Sequence, residues 1–495
     1  MATDPVQNTT ASPPSQDAAQ SVPQRIPRSV LVLAGVLTLG VVMSTLDTSI
    51  VSVGVEAMGH DLDTPVSVIQ WVATGYLLAF SMVIPLTGWA VDRFGIRRAW
   101  LTALAVFTAA SLLCGLAWSA GSLIIFRVVQ GLGGGMLLPL SQTALARAAG
   151  PRLIGRVMGV AAIPGMLAPV FGPAIGGLLV DRLSWPWLFW VNLPIGVVGL
   201  VLAARVLPRG EEVRAVPLDG LSVVLLSPGL ALLVLGFTEA GGERGFGSPL
   251  AVPSLVLGAV MLAVFAGHSL RRGERALVDL RLFRLRSFAA SAVASLLLGA
   301  ALFGALILFP LYHQLVRGQD AVTAGALLAP QGLGAALVAP YAGKLTDRLG
   351  PGRVVPAGLV LALLGTLPYA LADGDTPELL LAAALLVRGV GLGATFMPTL
   401  VAAYQGLGKE SVPHATSVVN IAQRVGGSMG TAVLTVVLQR SYSRHAGDGS
   451  VLRAARTPAQ LVPAFGDVFW WTLGFSLIAL LPALLLPRTT RSEGR

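Results

Sequence analysis

Two charged side chains stand where charge is costly. Asp47 lies in LGVVMSTLDTSIVSVGV (39–55) and Arg127 opens RVVQGLGGG (127–135), both in apolar runs long enough to cross a bilayer. A carboxylate at the centre of a spanning helix costs about 2.5–3.5 kcal/mol on insertion scales, so its presence there marks function. Desolvation disfavours the charged form, which suits Asp47 to take up and release a proton. Arg127 does not deprotonate, so its burial requires a partner or a water-filled cleft. Gln130, three residues on, shares its helix face. Asn192 in WPWLFWVNLPIG (185–196), and Asn420, Gln423 and Arg424 in NIAQRVGGSMG (420–430), are further polar groups inside apolar runs and candidates to line a substrate cavity. Metal and thiolate chemistry find no support: Cys114 is the only cysteine, and the five histidines are scattered without an H-E-x-x-H pattern. The two lysines, Lys344 and Lys409, lie outside any G-x-x-x-x-G-K-[ST] loop, which argues against an ATP-driven pump.

The elements that must hold these groups are membrane spans. Of 495 residues, 54% are hydrophobic and 12% charged, against about 25% charged in soluble chains. Mean hydropathy is +0.77. The formal charge of +10 is spread in short clusters between apolar runs, so the chain offers no basic face for nucleic acid. Residues 1–28 read as a disordered cytoplasmic tail. Fourteen helices are expected, an all-α membrane fold. Six near 29–52, 68–90, 99–118, 121–146, 156–180 and 188–207 form an N-terminal bundle (29–207). Two near 218–238 and 250–269 look peripheral and, with a cytoplasmic linker, fill 208–287. Six near 288–311, 321–342, 353–372, 377–403, 412–438 and 465–486 form a C-terminal bundle (288–486), and 487–495 is a tail. With the N-terminus inside, 24 Lys and Arg fall in cytoplasmic segments and 7 in outer loops, so both termini are read as cytoplasmic. The six arginines between 271 and 286, with Phe283 and Phe288, suit an interfacial segment touching anionic lipid. The outer loop 439–464 is long and basic, with no assigned role.

An internal repeat supports two halves: GWAVDRFG (88–95) recurs as GKLTDRLG (343–350) at an offset of 255. Gly88 and Gly95 permit close packing and a sharp turn, and Asp92 can accept bonds from Arg93, Arg97 or Arg98. Asp347 and Arg348 hold the matching places. The fifth span contains GVAAIPGMLAPVFGPAIGG (159–177), with five glycines and three prolines. Such a helix needs a close neighbour and a bend.

On these motifs the chain resembles the fourteen-span drug:proton antiporter branch of the major facilitator superfamily, over about 29–486. The loop GWAVDRFGIRR is similar to the superfamily's G-x-L-a-D-r-x-G-r-k, departing at Ala90 and Ile96. LDTSIVSVGV (46–55) resembles L-D-x-T-I-V-N-V-A-L-P, with Ser52, Gly54 and Glu56 departing. RVVQGLGGG resembles R-x-x-q-G-x-g-a-a, and 185–196 the branch's signature entering span 6. Gly159, Gly172, Pro173, Gly176 and Gly177 fill the antiporter signature g-x8-G-x3-G-P-x2-G-G, with Ala168 departing. The resemblance implies that the Asp92 cluster latches one half to the other on the cytoplasmic side, facing span 13. It also implies that Arg127 serves proton coupling or the electrostatics of a central cavity. The span-5 glycines are expected to seal that helix against the other half. What it implies as a whole is a monomeric, non-enzymatic exporter of lipophilic drugs or antibiotics in the cell membrane. Such an exporter needs no cofactor, is driven by a proton gradient and works by alternating access. The shortage of intramembrane acids leaves neutral or monocationic substrates. The runner-up is a proton-coupled importer or uniporter of a small metabolite. A membrane enzyme would want clustered carboxylates or metal ligands, and none are visible.

Overall fold

An apolar run inside a bilayer has no water to pair its backbone, so it must close its hydrogen bonds internally as a helix. The computed structural model describes residues 25–209, 216–242, 244–273, 276–373, 375–446 and 458–488. The first half comprises α1 (Arg28–Val51), α2 (Trp71–Val83), α3 (Leu86–Gly115), α4 (Ala120–Ala149), α5 (Ile154–Arg182) and α6 (Asn192–Val206). An extra pair follows, α7 (Gly220–Ala240) and α8 (Ala251–Arg272). The second half comprises α9 (Arg286–Leu315), α10 (Ala329–Leu349), α11 (Pro351–Ala370), α12 (Glu378–Gly393), α13 (Phe396–Tyr404), α14 (Val412–Ala446) and α15 (Pro458–Leu484). Most of the predicted tails, 1–24 and 489–495, and the centre of the 439–464 loop lie outside the described residues.

Among the described residues twelve helical segments are long and apolar enough to span a membrane, or thirteen if the two arms of α5, bent by 40°, count as one. The expected fourteen is not reached by that measure, and the shortfall falls on the predicted second span. Its apolar helix, Ser67–Val83, stops short at Ile84 and Pro85. Both residues keep helical dihedrals (φ −53, ψ −45 and φ −58, ψ −31), so the rod continues into the first turns of α3. It ends at Gly95, whose φ of 78 and ψ of 157 break α3 in two. Helical rods thus stand at every predicted place. Gly350 closes the repeated loop at φ 81, ψ 153, almost the same backbone as Gly95. Glycine reaches that region without the steric cost a Cβ imposes, so the repeat extends to conformation.

The extra pair is less peripheral than its sequence implies. α7 packs on both α2 and α14, along the seam between the halves, while α8 packs on α7.

The bent α5 divides its contacts. At its first turns it crosses α10 at backbone distance: a Cβ on Gly159 would lie 2.3 Å from the Ala339 carbonyl, and one on Gly343 2.1 Å from that of Gly155. Beyond the bend, Gly172 and Gly176 face α1 of their own half. A Cβ on Gly172 would lie 2.0 Å from Ser49 Oγ, and one on Gly176 2.9 Å from the Ile50 carbonyl. The expectation that the whole glycine series seals the other half is therefore corrected: Gly159 does so, Gly172 and Gly176 seat α5 on α1. Pro173 lies among them, and Gly177 has open space. Glycine demands a close neighbour but does not say which helix supplies it.

Gly159→Leu should force α5 from α10 and cost about 1–3 kcal/mol, the usual penalty of overpacking. It should appear as a lowered thermal midpoint of the detergent-solubilised protein, with Gly177→Ala unchanged. Equal midpoints for both variants would refute the backbone crossing.

Candidate functional site

The two charges singled out by sequence form one ion pair. Arg127 Nη1 donates to Asp47 Oδ2 at 2.6 Å, and the side chains are 1% and 0% exposed. The carboxylate receives two more bonds at Oδ1, from Gln130 Nε2 and Asn192 Nδ2, both at 2.9 Å. Gln130 also accepts from Arg127 Nη1 (2.7 Å) and donates to Ser111 Oγ (2.7 Å). Arg127 Nε reaches the Val72 carbonyl at 3.1 Å, and the guanidinium lies 4.1 Å above the Tyr76 ring. The network therefore ties α1, α4 and α6 together, with α2 and α3 as walls. Ser119 and Ser122 form a capping box that starts α4 two turns before Arg127.

Gln130 and Asn192 do not line a cavity. Both are fully buried ligands of Asp47. A buried carboxylate needs its lone pairs filled as well as its charge matched, and these amides fill them.

In the second half Arg388 opens RGVGLGATFM (388–397), a loose echo of RVVQGLGGGM (127–136), and it is buried with neutral partners. Its guanidinium donates to Thr366 Oγ1 (3.2 Å), Gln331 Oε1 (2.5 Å) and the Ala301 carbonyl (3.2 Å), 4.9 Å above Phe309.

At the arginine-rich end the halves meet through both copies of the repeated loop. Asp92 does not pair with Arg93, Arg97 or Arg98 among the described residues. Arg97 donates to the Ala204 carbonyl at 2.7 Å, and Arg93 and Arg98 are exposed. Asp92 Oδ2 instead lies 3.0 Å from His414 Nε2 on α14, across the seam. Gly88 makes room for that ring, since a Cβ there would fall 2.7 Å from His414 Nδ1. His414 Nδ1 faces the Leu277 carbonyl at 3.3 Å, so the segment before α9 joins the same contact. In the other copy, Asp347 accepts from the backbone N–H groups of Gly155 (2.9 Å) and Arg156 (3.1 Å). Those two residues open α5, where unpaired amides and the helix dipole favour an anion. Arg348 is exposed.

A polar stripe on α14 continues the seam. Ser417 meets Thr87 (2.6 Å), Thr416 accepts from Thr143 (3.4 Å), and Asn420 Nδ2 donates to Gln142 Oε1 (2.7 Å). Asn420, expected in the cavity, is thus a seam residue and 5% exposed. Gln423 and Arg424 are half-buried. The Arg424 guanidinium sits 4.2 Å from the Phe80 ring of the first half and 5.5 Å from Phe303 of the second. Each such contact is worth about 0.5–2 kcal/mol. Sequence reasoning missed His414, Gln142 and Ser111. The only signal for His414 was its place at the start of the span expected to face Asp92.

Known proteins resemble this chain over nearly its whole length. The Major Facilitator Superfamily model matches residues 37–431. The chain is 37% identical to the multidrug resistance protein B homolog of Mycobacterium tuberculosis, over 99% of this chain and 96% of that one. It is 30% identical to the multidrug export protein EmrB of Haemophilus influenzae (84% and 82% covered) and 27% identical to the lincomycin resistance protein LmrB of Listeria innocua (93% and 97% covered). Among solved structures, the proton:xylose symporter XylE superposes with a TM-score of 0.63 at 15% identity, covering 92% of this chain and 94% of that one.

Removing one member of a buried ion pair typically costs about 3–5 kcal/mol, because the other is left uncompensated. Asp47→Asn and Arg127→Gln should each show a loss of that order, and the double variant less than their sum, in thermal unfolding of the purified protein. Additive losses would mean that the two side chains act independently.

Proposed function

Because the chain belongs to the Major Facilitator Superfamily, we propose that it exports lipophilic drugs or antibiotics in exchange for protons, by alternating access. The observation that carries this reading is the Asp47–Arg127 pair, buried at membrane depth inside the first half. A buried pair is a poor source of stability, since apolar replacements of similar volume are often as stable or more so. Its value lies in what protonation does to it. A proton on Asp47 removes the counter-charge of Arg127 and one acceptor from Gln130 or Asn192. Arg127 then keeps Val72, Gln130 and the Tyr76 face, and α1 is released from α4 and α6.

A release on α1 has a mechanical route to the seam. Ser49 and Ile50, just beyond Asp47, seat Gly172 and Gly176 of α5. The opposite end of α5 presents Gly155 and Arg156 to Asp347. α5 therefore acts as a lever from the proton site to one copy of the latch. The latched end is taken as cytoplasmic from the excess of arginine there, and both chain ends with it. One proton moving inward through 100 mV yields about 2.3 kcal/mol, comparable to a few seam hydrogen bonds.

The fold is shared with a symporter, so it leaves direction open. Export rests on the Gly159–Gly177 signature and on the relatives named for resistance and export. No cofactor, no metal and no catalytic step is part of the proposal, and the working unit is a monomer.

In everted vesicles, drug addition should collapse a preformed proton gradient, and Asp47→Asn should abolish that response while membrane insertion stays intact. A drug-evoked proton flux at the parental level in Asp47→Asn would falsify its coupling role. Asp92→Asn and His414→Gln should slow drug turnover by about tenfold, the effect of losing roughly 1.4 kcal/mol from one state of the cycle, with drug affinity unchanged. A change in affinity alone would rule out a latch.

A further inference from the structure

Of three arginines held at membrane depth, two have polar partners. Arg127 meets Asp47, and Arg388 is filled by Thr366, Gln331 and a carbonyl. Arg424 has aromatic faces only: among the described residues its guanidinium makes no hydrogen bond and no ion pair, and it lies between Phe80 and Phe303. Arg424 is half-buried and lines a narrow cleft on the seam. Ser81 and Ile84 line that cleft from the first half, Leu230 and Val234 from α7, and Ile421 from α14. Asp47, the acid of the first half's interior, is fully buried with both oxygens engaged by Arg127, Gln130 and Asn192, so it is not placed to receive a cationic drug.

We propose that Arg424 is the anion-recognition group of the substrate site, and that the exported compounds are lipophilic acids. This rests on the export reading above and narrows its substrate class, replacing the neutral or monocationic expectation. The guanidinium presents a planar fork of donors that matches a carboxylate bidentately. The apolar remainder of the compound lies along α2 and α7, which gives the extra helix pair a role in binding. Arg424 is twelve residues into α14, about 18 Å from the start of that helix at 1.5 Å per residue. That depth is out of reach of a lipid headgroup resting at the interface, so the occupant is a transported molecule. Phe80 and Phe303 belong to opposite halves, so the ligand's head sits where the halves move against each other.

The test uses the full chain in detergent and three compounds of one skeleton: pyrenebutyrate, its methyl ester and pyrenebutyl-trimethylammonium. Binding is read from quenching of tryptophan emission. The wild type should bind the acid about tenfold more tightly than the cation, the margin expected when one charge meets a like charge in place of an opposite one. Arg424→Gln should lose about that factor for the acid and leave the ester unchanged, while Arg424→Lys retains acid preference. Preference of the wild type for the cation would overturn the proposal without any variant. Equal loss of acid and ester in a folded Arg424→Gln protein would assign Arg424 to structure. Dihexanoyl phosphatidylglycerol displacing pyrenebutyrate at lower concentration than pyrenebutyrate itself would transfer the site to a lipid headgroup. The assay needs no gradient, so its failure leaves proton coupling to be judged by the vesicle experiment, and the converse holds as well.

Discussion

One ion pair organises the first half of this protein. Asp47 and Arg127 meet at 2.6 Å, 0% and 1% exposed, and the amides of Gln130 and Asn192 are turned toward the carboxylate. In hydrocarbon neither charge is tolerable alone, so the helices that carry them have no independent position. α1 must lie where Asp47 reaches α4, and α6 must begin where Asn192 reaches Asp47. The glycines of α5 then inherit their register from α1, because Gly172 and Gly176 fit only against Ser49 and Ile50. A change of one proton at this point therefore alters the reason for the packing of four helices, which no single surface ion pair could do.

The seam uses the repeat without being symmetric. The glycines that follow the two repeated aspartates, Gly95 and Gly350, share almost the same backbone conformation. Asp347 is held by two main-chain N–H groups and by the Arg156 guanidinium, whose Nε lies 3.6 Å from Oδ2. Asp92 is held by an imidazole whose other nitrogen faces a second acceptor, the Leu277 carbonyl. Both partners are acceptors, so a neutral ring can serve one and only an imidazolium both. Among the described residues Arg388 of the second half has only neutral partners, so the buried Asp–Arg pair belongs to the first half alone.

Much of this was legible in the residues. Spans follow from hydropathy and length, which are one-dimensional properties, and the count faltered only where Pro85 and Gly95 redraw a boundary. Asp47 and Arg127 stood out singly because charge in an apolar run is costly. Their pairing did not, since 80 residues separate them and nothing local links the two. Asp92 was assigned to the nearest arginines in sequence, yet Arg93 and Arg98 turn to solvent where a cation is cheapest, and His414 carried no motif. Gln130, Asn192 and Asn420 were read as lining a cavity because they are polar. Burial makes the opposite demand, and each is consumed by another buried polar group.

That last point separates Arg424 from its neighbours. A polar residue inside a membrane protein is satisfied, wet or waiting for a ligand. Asn420 is satisfied by Gln142, and Arg388 by three neutral acceptors. Arg424 is left with two π faces drawn from the two halves, a weaker and less directional partnership than any carboxylate would give. Those faces hold the guanidinium without filling its donors, and under the proposed alternating access they would move apart or together with the seam. In such a cycle a cation fixed this way would be compensated in one state and undercompensated in another. An anionic ligand then binds the two states unequally, and unequal binding is what lets a ligand shift a conformational equilibrium.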